Sequence, residues 1–418
     1  MRSESEKVVQ RDGLTIWTIW HDPADFRSVV DQYQWDTGRV LNYSHRDFES
    51  YDDYKETLML ELANDDGPDI FMLNNSEPLL LIDRIVWIQP SYINPENFRK
   101  NYLAPFPEEL IDSVEDDGKK IDYLLWVPAG FEILGLYYDR RSFVGQNLDT
   151  WAWVWEAIQD IKDVNSDITP IWIWGGTSVY DSQDIFTQFL VNSWSRWILD
   201  VDTTDIRRAL ANYKNYADED GANNYNEIDE ELRQFWKDNI SLFSTWEIKM
   251  LVWYPSLIEK IKASGFSKNF LSAEPFPKST SLDNKLLLNY DYFVINEETE
   301  AYDGASSFLA YLTTDAWAIA YYDVFTWKLP SHGLLENNLD QKFDNDFNIT
   351  YKDILRDQIE LVSYNKWIKT LFDSQIPQIL DIEDIISASS TFSRLQSNIN
   401  CKIQTISTDN ASNPNCKK

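Results

Sequence analysis

The sequence predicts an α/β fold built on a parallel sheet and divided into two to three lobes. Three observations carry that expectation. The first hundred residues alternate between strand and helix periods. The length, 418 residues, exceeds the roughly 250–300 at which a single core stops growing. Hydrophobic residues make up 43% of the chain, which fills a large core and excludes wholesale disorder.

Residues 14–19, reading Leu-Thr-Ile-Trp-Thr-Ile, form an apolar run of strand length. Asp22-Pro23 opens a helix on which Phe26, Val29, Val30 and Tyr33 recur at helical spacing until Asp36-Thr37-Gly38 ends it. Residues 40–43 give a second strand, 54–63 a second helix, and Asp66-Gly67-Pro68 a stop before the strand at 69–73. This βαβαβ order makes a parallel sheet with right-handed crossovers the economical topology. Ligands of such sheets bind beyond the carboxyl ends of the strands, here residues 20–22, 44–46 and 74–77.

A second block starts at the turn Asp117-Gly118-Lys119-Lys120. It continues through the apolar run 121–127, the strand 133–138 and a helix 150–161 capped by Thr150. A strand at 169–173 leads to the small loop Gly175-Gly176-Thr177 and a helix at 184–194. Residues 205–262 read as mostly helical and 274–291 as a connection rich in Pro and Ser. Residues 290–295 form a strand, 305–312 a helix, and the chain is helical to about 386. The last segment, 387–418, is a polar tail.

Composition removes several function classes. The chain carries 69 acidic and 37 basic residues, a net charge of −32, a field that repels phosphate backbones and anionic lipids. Nucleic acid is therefore excluded as a partner, and no Gly-rich phosphate loop supports nucleotide chemistry. The histidines, His21, His45 and His332, are scattered, so no metal site and no cofactor is expected. Cys401 and Cys416 either close a small loop in an oxidising compartment or stay as free thiols. No window approaches the ~18 apolar residues of a spanning helix. The charged start lacks a secretory apolar stretch, so either the protein works in the cytoplasm or an export segment precedes this sequence.

Aromatic residues, 15% of the chain, suit the apolar faces of sugars, whose hydroxyls would go to carboxylates and amides. Trp20, Tyr254 and Tyr292 stand at strand ends and are the candidates for stacking. Among the 69 acidic residues, Glu77 and Glu132 flank strands where a ligand would meet them. They read as acceptors for ligand hydroxyls, with glycoside hydrolysis by Glu77 or Glu132 as the alternative.

The helix ending Leu60-Glu61-Leu62-Ala63-Asn64, with Gly67-Pro68-Asp69-Ile70-Phe71-Met72 after it, resembles the extracellular solute-binding proteins of ABC importers, in the maltodextrin-binding group. Leu14-Thr15-Ile16-Trp17 resembles that family's first strand. Asp117-Gly118-Lys119, Val127-Pro128, Glu132 and Leu136-Tyr137-Tyr138-Asp139 resemble the strand that crosses between its lobes. Thr150-Trp151, Met250 with Tyr254-Pro255-Ser256, the helix Phe308-Leu309-Ala310-Tyr311-Leu312-Thr313 and Leu329-Pro330 follow in the family's order.

The resemblance implies a type II periplasmic-binding-protein-like fold: two α/β lobes, a hinge and a ligand cleft between them. It implies lobe 1 from 12–127 and 271–327 and lobe 2 from 128–270 and 328–386, the latter segment helical. Crossings would fall near Pro128, in 270–277 and near Lys328. Carried over by position, the substrate-binding residues are Trp20, Asp22, Asn74, Asn75, Glu77, Phe131, Glu132, Gly176, Thr177, Tyr254 and Tyr292. The expected function is capture of a small solute, foremost a sugar or oligosaccharide, by lobe closure. Delivery to an ABC permease would follow, at an extracellular or periplasmic location with the export segment outside this chain. No catalytic residue is expected; a sensory receptor on the same fold is a further alternative.

One departure from the family is compositional. Tryptophan, at 18, outnumbers glycine, at 13, where average usage gives about 29 glycines. Several tryptophans stand where the family pattern has glycine: Trp126, Trp172, Trp174, Trp194, Trp197, Trp246, Trp253 and Trp327. Two explanations are open. The chain is rich in tryptophan, or a UGA codon that some bacteria read as glycine has been translated as tryptophan.

Overall fold

The computed structural model describes residues 11–19, 23–46, 48, 51–75, 79–116, 118–165, 169–171, 173, 182–193, 204, 207–209, 211–213, 239–256, 261, 263–279, 285–318, 331–332, 360–363 and 397. Two compact units emerge. Unit 1 comprises Met1–Phe131 and Tyr290–Gln341, and unit 2 comprises Glu132–Asn289 and Lys342–Lys418.

Unit 1 begins with strand β1 (Arg11–Trp17), helix α1 (Pro23–Thr37), strand β2 (Val40–Arg46), helix α2 (Tyr51–Ala63) and strand β3 (Ile70–Asn74). β1 pairs parallel with β2 on one side and β3 on the other, so the βαβαβ expectation holds. The apolar stripe of α1, Phe26, Val29, Val30 and Tyr33, is buried, because its spacing keeps all four on one helix face. α2 ends at Ala63, Asp65 in the turn after it has φ +57°, and a Cβ at Gly67 would stand 2.5 Å from Leu62 Cδ2. Tyr54 on α2 donates its hydroxyl proton to Met72 O at 2.6 Å and accepts from Met72 N–H at 3.1 Å, fixing the helix to the middle of β3.

Short elements follow: β4 (Ile85–Val86), α3 (Pro95–Asn101), α4 (Phe106–Leu110), and a hairpin of β5 (Ile111–Asp116) and β6 (Lys119–Leu124). Its turn places Gly118 at φ +73°, the backbone region that favours glycine. The apolar run then continues into β7 (Val127–Ile133), which is buried throughout.

In unit 2, strand β8 (Gly135–Asp139), helix α5 (Trp151–Val164), strand β9 (Thr169–Ile171), helix α6 (Ser182–Ser193), helix α7 (Asn239–Ser244), and strands β10 (Ile248–Trp253) and β11 (Leu271–Pro275) succeed one another. The sheet order is β11-β8-β10-β9, with β8 antiparallel to both neighbours and β9 parallel to β10. Thr150 caps α5, its hydroxyl accepting from Trp153 N–H at 3.3 Å. Trp151 is buried against Phe189 and Phe276.

β12 (Lys285–Asn296) runs from unit 2 into unit 1 and is followed by helix α8 (Tyr302–Leu312) and strand β13 (Glu360–Ser363). Its later half lies antiparallel to β3, with Phe293 opposite Met72. Its first residues pair parallel with β13. On α8, the rings of Phe308 and Tyr311 meet Tyr33 edge to face, with centroids 5.3 and 5.1 Å away.

Two readings change. Within 205–262, Ile248–Trp253 is a strand, because six consecutive residues of mostly apolar character fit a sheet buried on both faces. The segment expected to be helical over 328–386 contains the strand β13. The chain passes between units at 131/132, 289/290 and 341/342, whereas the sequence reading puts the crossings near 128, 270–277 and 328. Residues 271–275 pair with β8 in unit 2.

Candidate functional site

At the carboxyl end of β3, Asn74 and Asn75 leave the parallel sheet and meet β12. Asn74 lies opposite Asp291 in the register and donates from Nδ2 to its Oδ1 at 2.8 Å. Asn75 is held by backbone: its N–H donates to Tyr290 O at 2.9 Å, and its Oδ1 accepts from Tyr290 N–H at 3.0 Å. Asn75 thus continues the strand pairing with its own side chain.

Aromatic rings surround this polar pair. Tyr292 stacks on Trp126 with centroids 4.7 Å apart and planes at 23°. Tyr290 lies 5.9 Å from Tyr292 and 5.0 Å from Phe106, which in turn touches Phe131 at 5.8 Å. Phe131 is fully buried, so in unit 1 it supports the cluster from behind. The Tyr290 hydroxyl donates to Glu109 Oε2 at 3.1 Å. Burial first, then the Glu109 charge, pushes its proton affinity well above that of an ordinary tyrosine.

Unit 2 holds the second group. Glu132, next along β7 after Phe131, is buried, and its Oε1 accepts from Ser256 N–H at 2.7 Å. The buried Tyr137 hydroxyl is raised well above its usual pKa by desolvation and then by the Glu132 charge. Tyr254, just past β10, donates its hydroxyl proton to Asp184 Oδ2 at 2.8 Å. Asp184 sits in the first turn of α6, where the helix dipole favours a negative charge.

Within unit 1, then, the structure brings together Asn74, Asn75, Phe131 and Tyr292. Glu132 and Tyr254 belong to unit 2, and both bond to or adjoin the segment that follows β10. Trp20, Asp22, Glu77, Gly176 and Thr177 lie outside the described residues. Trp126, Asp184, Asp291 and Ser256 are partners that sequence reasoning missed. Only Asp291 carried a signal, since its neighbour Tyr292 had been selected on the same strand. Among the described residues, no group of three or more His, Cys, Asp or Glu is placed to hold a metal, and no helix is long and apolar enough to cross a membrane.

Chemically, these groups offer buried carboxylates, amides and tyrosines that give and take hydrogen bonds next to flat rings. Each carboxylate of the two groups already has a fixed hydrogen-bond donor, an arrangement suited to orienting hydroxyl groups.

Similar folds are found among solved structures. A sugar-binding protein, MalE, from Xanthomonas citri superposes with a TM-score of 0.69 at 15% identity, over 94% of this chain and 98% of that one. The cyclic α-maltosyl-1,6-maltose binding protein of Arthrobacter globiformis gives 0.71 at 15%, over 94% and 99%. An ABC substrate-binding protein from Listeria monocytogenes, in complex with cycloalternan, gives 0.68 at 14%, over 94% and 99%. No curated protein matches the sequence. The sequence model of the bacterial extracellular solute-binding proteins matches residues 28–331. On that match, which spans most of the chain, the protein belongs to the bacterial extracellular solute-binding proteins.

Proposed function

We propose that the protein captures a carbohydrate outside the cell and hands it to the permease of an ABC importer. The family match across residues 28–331 carries this reading, and the likeness to sugar-binding folds supports the choice of solute. Asn74 and Asp291 in unit 1, and Glu132 with Tyr254 in unit 2, take the hydroxyls. Tyr292 supplies an apolar ring face. Trp20, Asp22, Asn75, Glu77, Phe131, Gly176 and Thr177 complete the proposed contact set by position. Glu132 works as an acceptor fixed by the Ser256 amide, and binding rather than bond cleavage is the outcome.

Isothermal titration calorimetry against monosaccharides and against linear and cyclic maltooligosaccharides tests the reading. Binding of at least one sugar is expected, weakened about 5- to 160-fold in Glu132→Gln and Asn74→Ala, since each removes a charged or polar partner worth about 1–3 kcal/mol. Binding of peptides or polyamines with no response to any sugar overturns the carbohydrate assignment. Turnover of an aryl glycoside, abolished in Glu132→Gln, overturns the receptor reading.

A further inference from the structure

Among the described residues, the backbone enters the left-handed region at four glycines, Gly38, Gly118, Gly145 and Gly265, and at two other residues, Asp65 and Trp246. Asp65 is tolerated there, because a short polar side chain bonds locally in that conformation. Trp246, at φ +68°, is the misfit. A bulky side chain at positive φ is a genuine outlier, since its Cβ crowds the neighbouring carbonyl oxygen.

The reason for the conformation is plain from the hydrogen bonds. α7 ends at Ser244, Thr245 is the cap, and Trp246 N–H donates to Phe243 O at 3.1 Å while Glu247 N–H donates to Leu242 O at 2.9 Å. This pair of bonds closes a helix only when the residue after the cap is left-handed, and that residue is usually glycine. The turn then delivers the chain directly into β10, so the conformation is imposed from both sides.

The indole is not what holds its surroundings. Arg141 lies 3.8 Å above the Trp246 ring, but it also lies 3.9 Å above Phe270 and forks onto Asp139 at 3.0 and 3.2 Å. Phe266 touches Trp246 at 4.6 Å and separately stacks on Phe243 at 4.9 Å. Every one of these neighbours keeps a partner when the ring is removed. To the local geometry is added the composition, 18 tryptophans against 13 glycines.

We infer that residue 246 is glycine in the protein as its source cell makes it, encoded by UGA, a stop in the standard code, and that tryptophan is a different variant code's reading of that triplet. UGA differs by one base from the glycine codon GGA and by one from the tryptophan codon UGG, so a single triplet links the two residues. Trp151, buried on a helix against two phenylalanines, is the counterexample: its ring is required, and its codon is expected to be UGG.

Three measurements test this. The gene is expected to carry UGA at position 246 and UGG at 151; UGG at 246 overturns the inference. Tandem mass spectrometry of the tryptic peptide 238–249, taken from protein purified from the source cell, is expected to read glycine at 246. Tryptophan in that peptide overturns the inference. In recombinant protein, Trp246→Gly and Trp246→Ala lose the same ring and differ only in the Cβ. Trp246→Gly is expected to melt about 2–4 °C above Trp246→Ala. An alanine variant as stable as the glycine one removes the backbone premise and with it the inference.

Discussion

Gln188 replaces a missing strand. The side chain of this fully buried residue of α6 accepts from Leu287 N–H at 2.7 Å through Oε1 and donates to Lys285 O at 2.9 Å through Nε2. Those are alternate backbone groups on one edge of β12, whose other edge is paired with β13. Gln188→Leu keeps the volume but strands both. At about 1–3 kcal/mol for each orphaned group, the loss is about 2–6 kcal/mol. Gln188→Glu keeps the acceptor for Leu287, loses the donor to Lys285 and buries a charge. A carboxyl in that place has a raised pKa, so the folded state favours its acid form. The variant's deficit is then smallest at low pH and grows as pH rises through the raised pKa. Urea unfolding of parent and variants, at neutral pH and near pH 4, reads both effects. A Gln188→Leu protein within about 0.5 kcal/mol of the parent, the range of a neutral surface change, refutes the bridging role.

Other expectations follow from single contacts. Tyr54→Phe strips a hydroxyl that both gives and takes a bond with Met72, and urea unfolding is expected to show a loss of about 1–3 kcal/mol. His332 is buried, and desolvation lowers its pKa against a smaller opposing pull from Asp315. The unfolded chain therefore takes the proton first, so stability present above the ordinary histidine pKa declines as pH falls through it toward the folded value. His332→Leu is expected to flatten that slope in thermal melts between pH 7.5 and 5. A bound solute at one hundred times its Kd is expected to add about 2.7 kcal/mol to stability, an increment that Tyr254→Phe reduces by removing the hydroxyl bonded to Asp184.

The first parallel unit was legible because each of its signals is local. Phe26, Val29, Val30 and Tyr33 mark one helix face, and Asp66-Gly67-Pro68 marks a stop. What escaped depends on partners distant in sequence. Ile248–Trp253 has no period to separate a buried strand from a helix segment. Leu271–Pro275 contains Ser, Glu and Pro and becomes a strand through its pairing with β8. The acidic β5, Ile111–Asp116, is shaped by the β6 hairpin opposite. For the candidate site, Asn74 and Asn75 were readable as a strand end, whereas Tyr292, read as one, lies within β12 because that strand starts at Lys285 and runs to Asn296. Asp184 and Ser256 were not, since only the tertiary fold sets them against Tyr254 and Glu132.

The pairing of β3 with β12 joins Asn74 to Asp291, 217 positions later in the chain. During synthesis at about 5–20 residues per second, β3 waits roughly 10–45 s for its neighbour. Throughout that interval Ile70, Phe71, Met72 and Leu73, all buried in the finished sheet, present an unpaired apolar edge of the kind that recruits other chains. That edge is covered only once β12, made after the first segment of unit 2, has emerged.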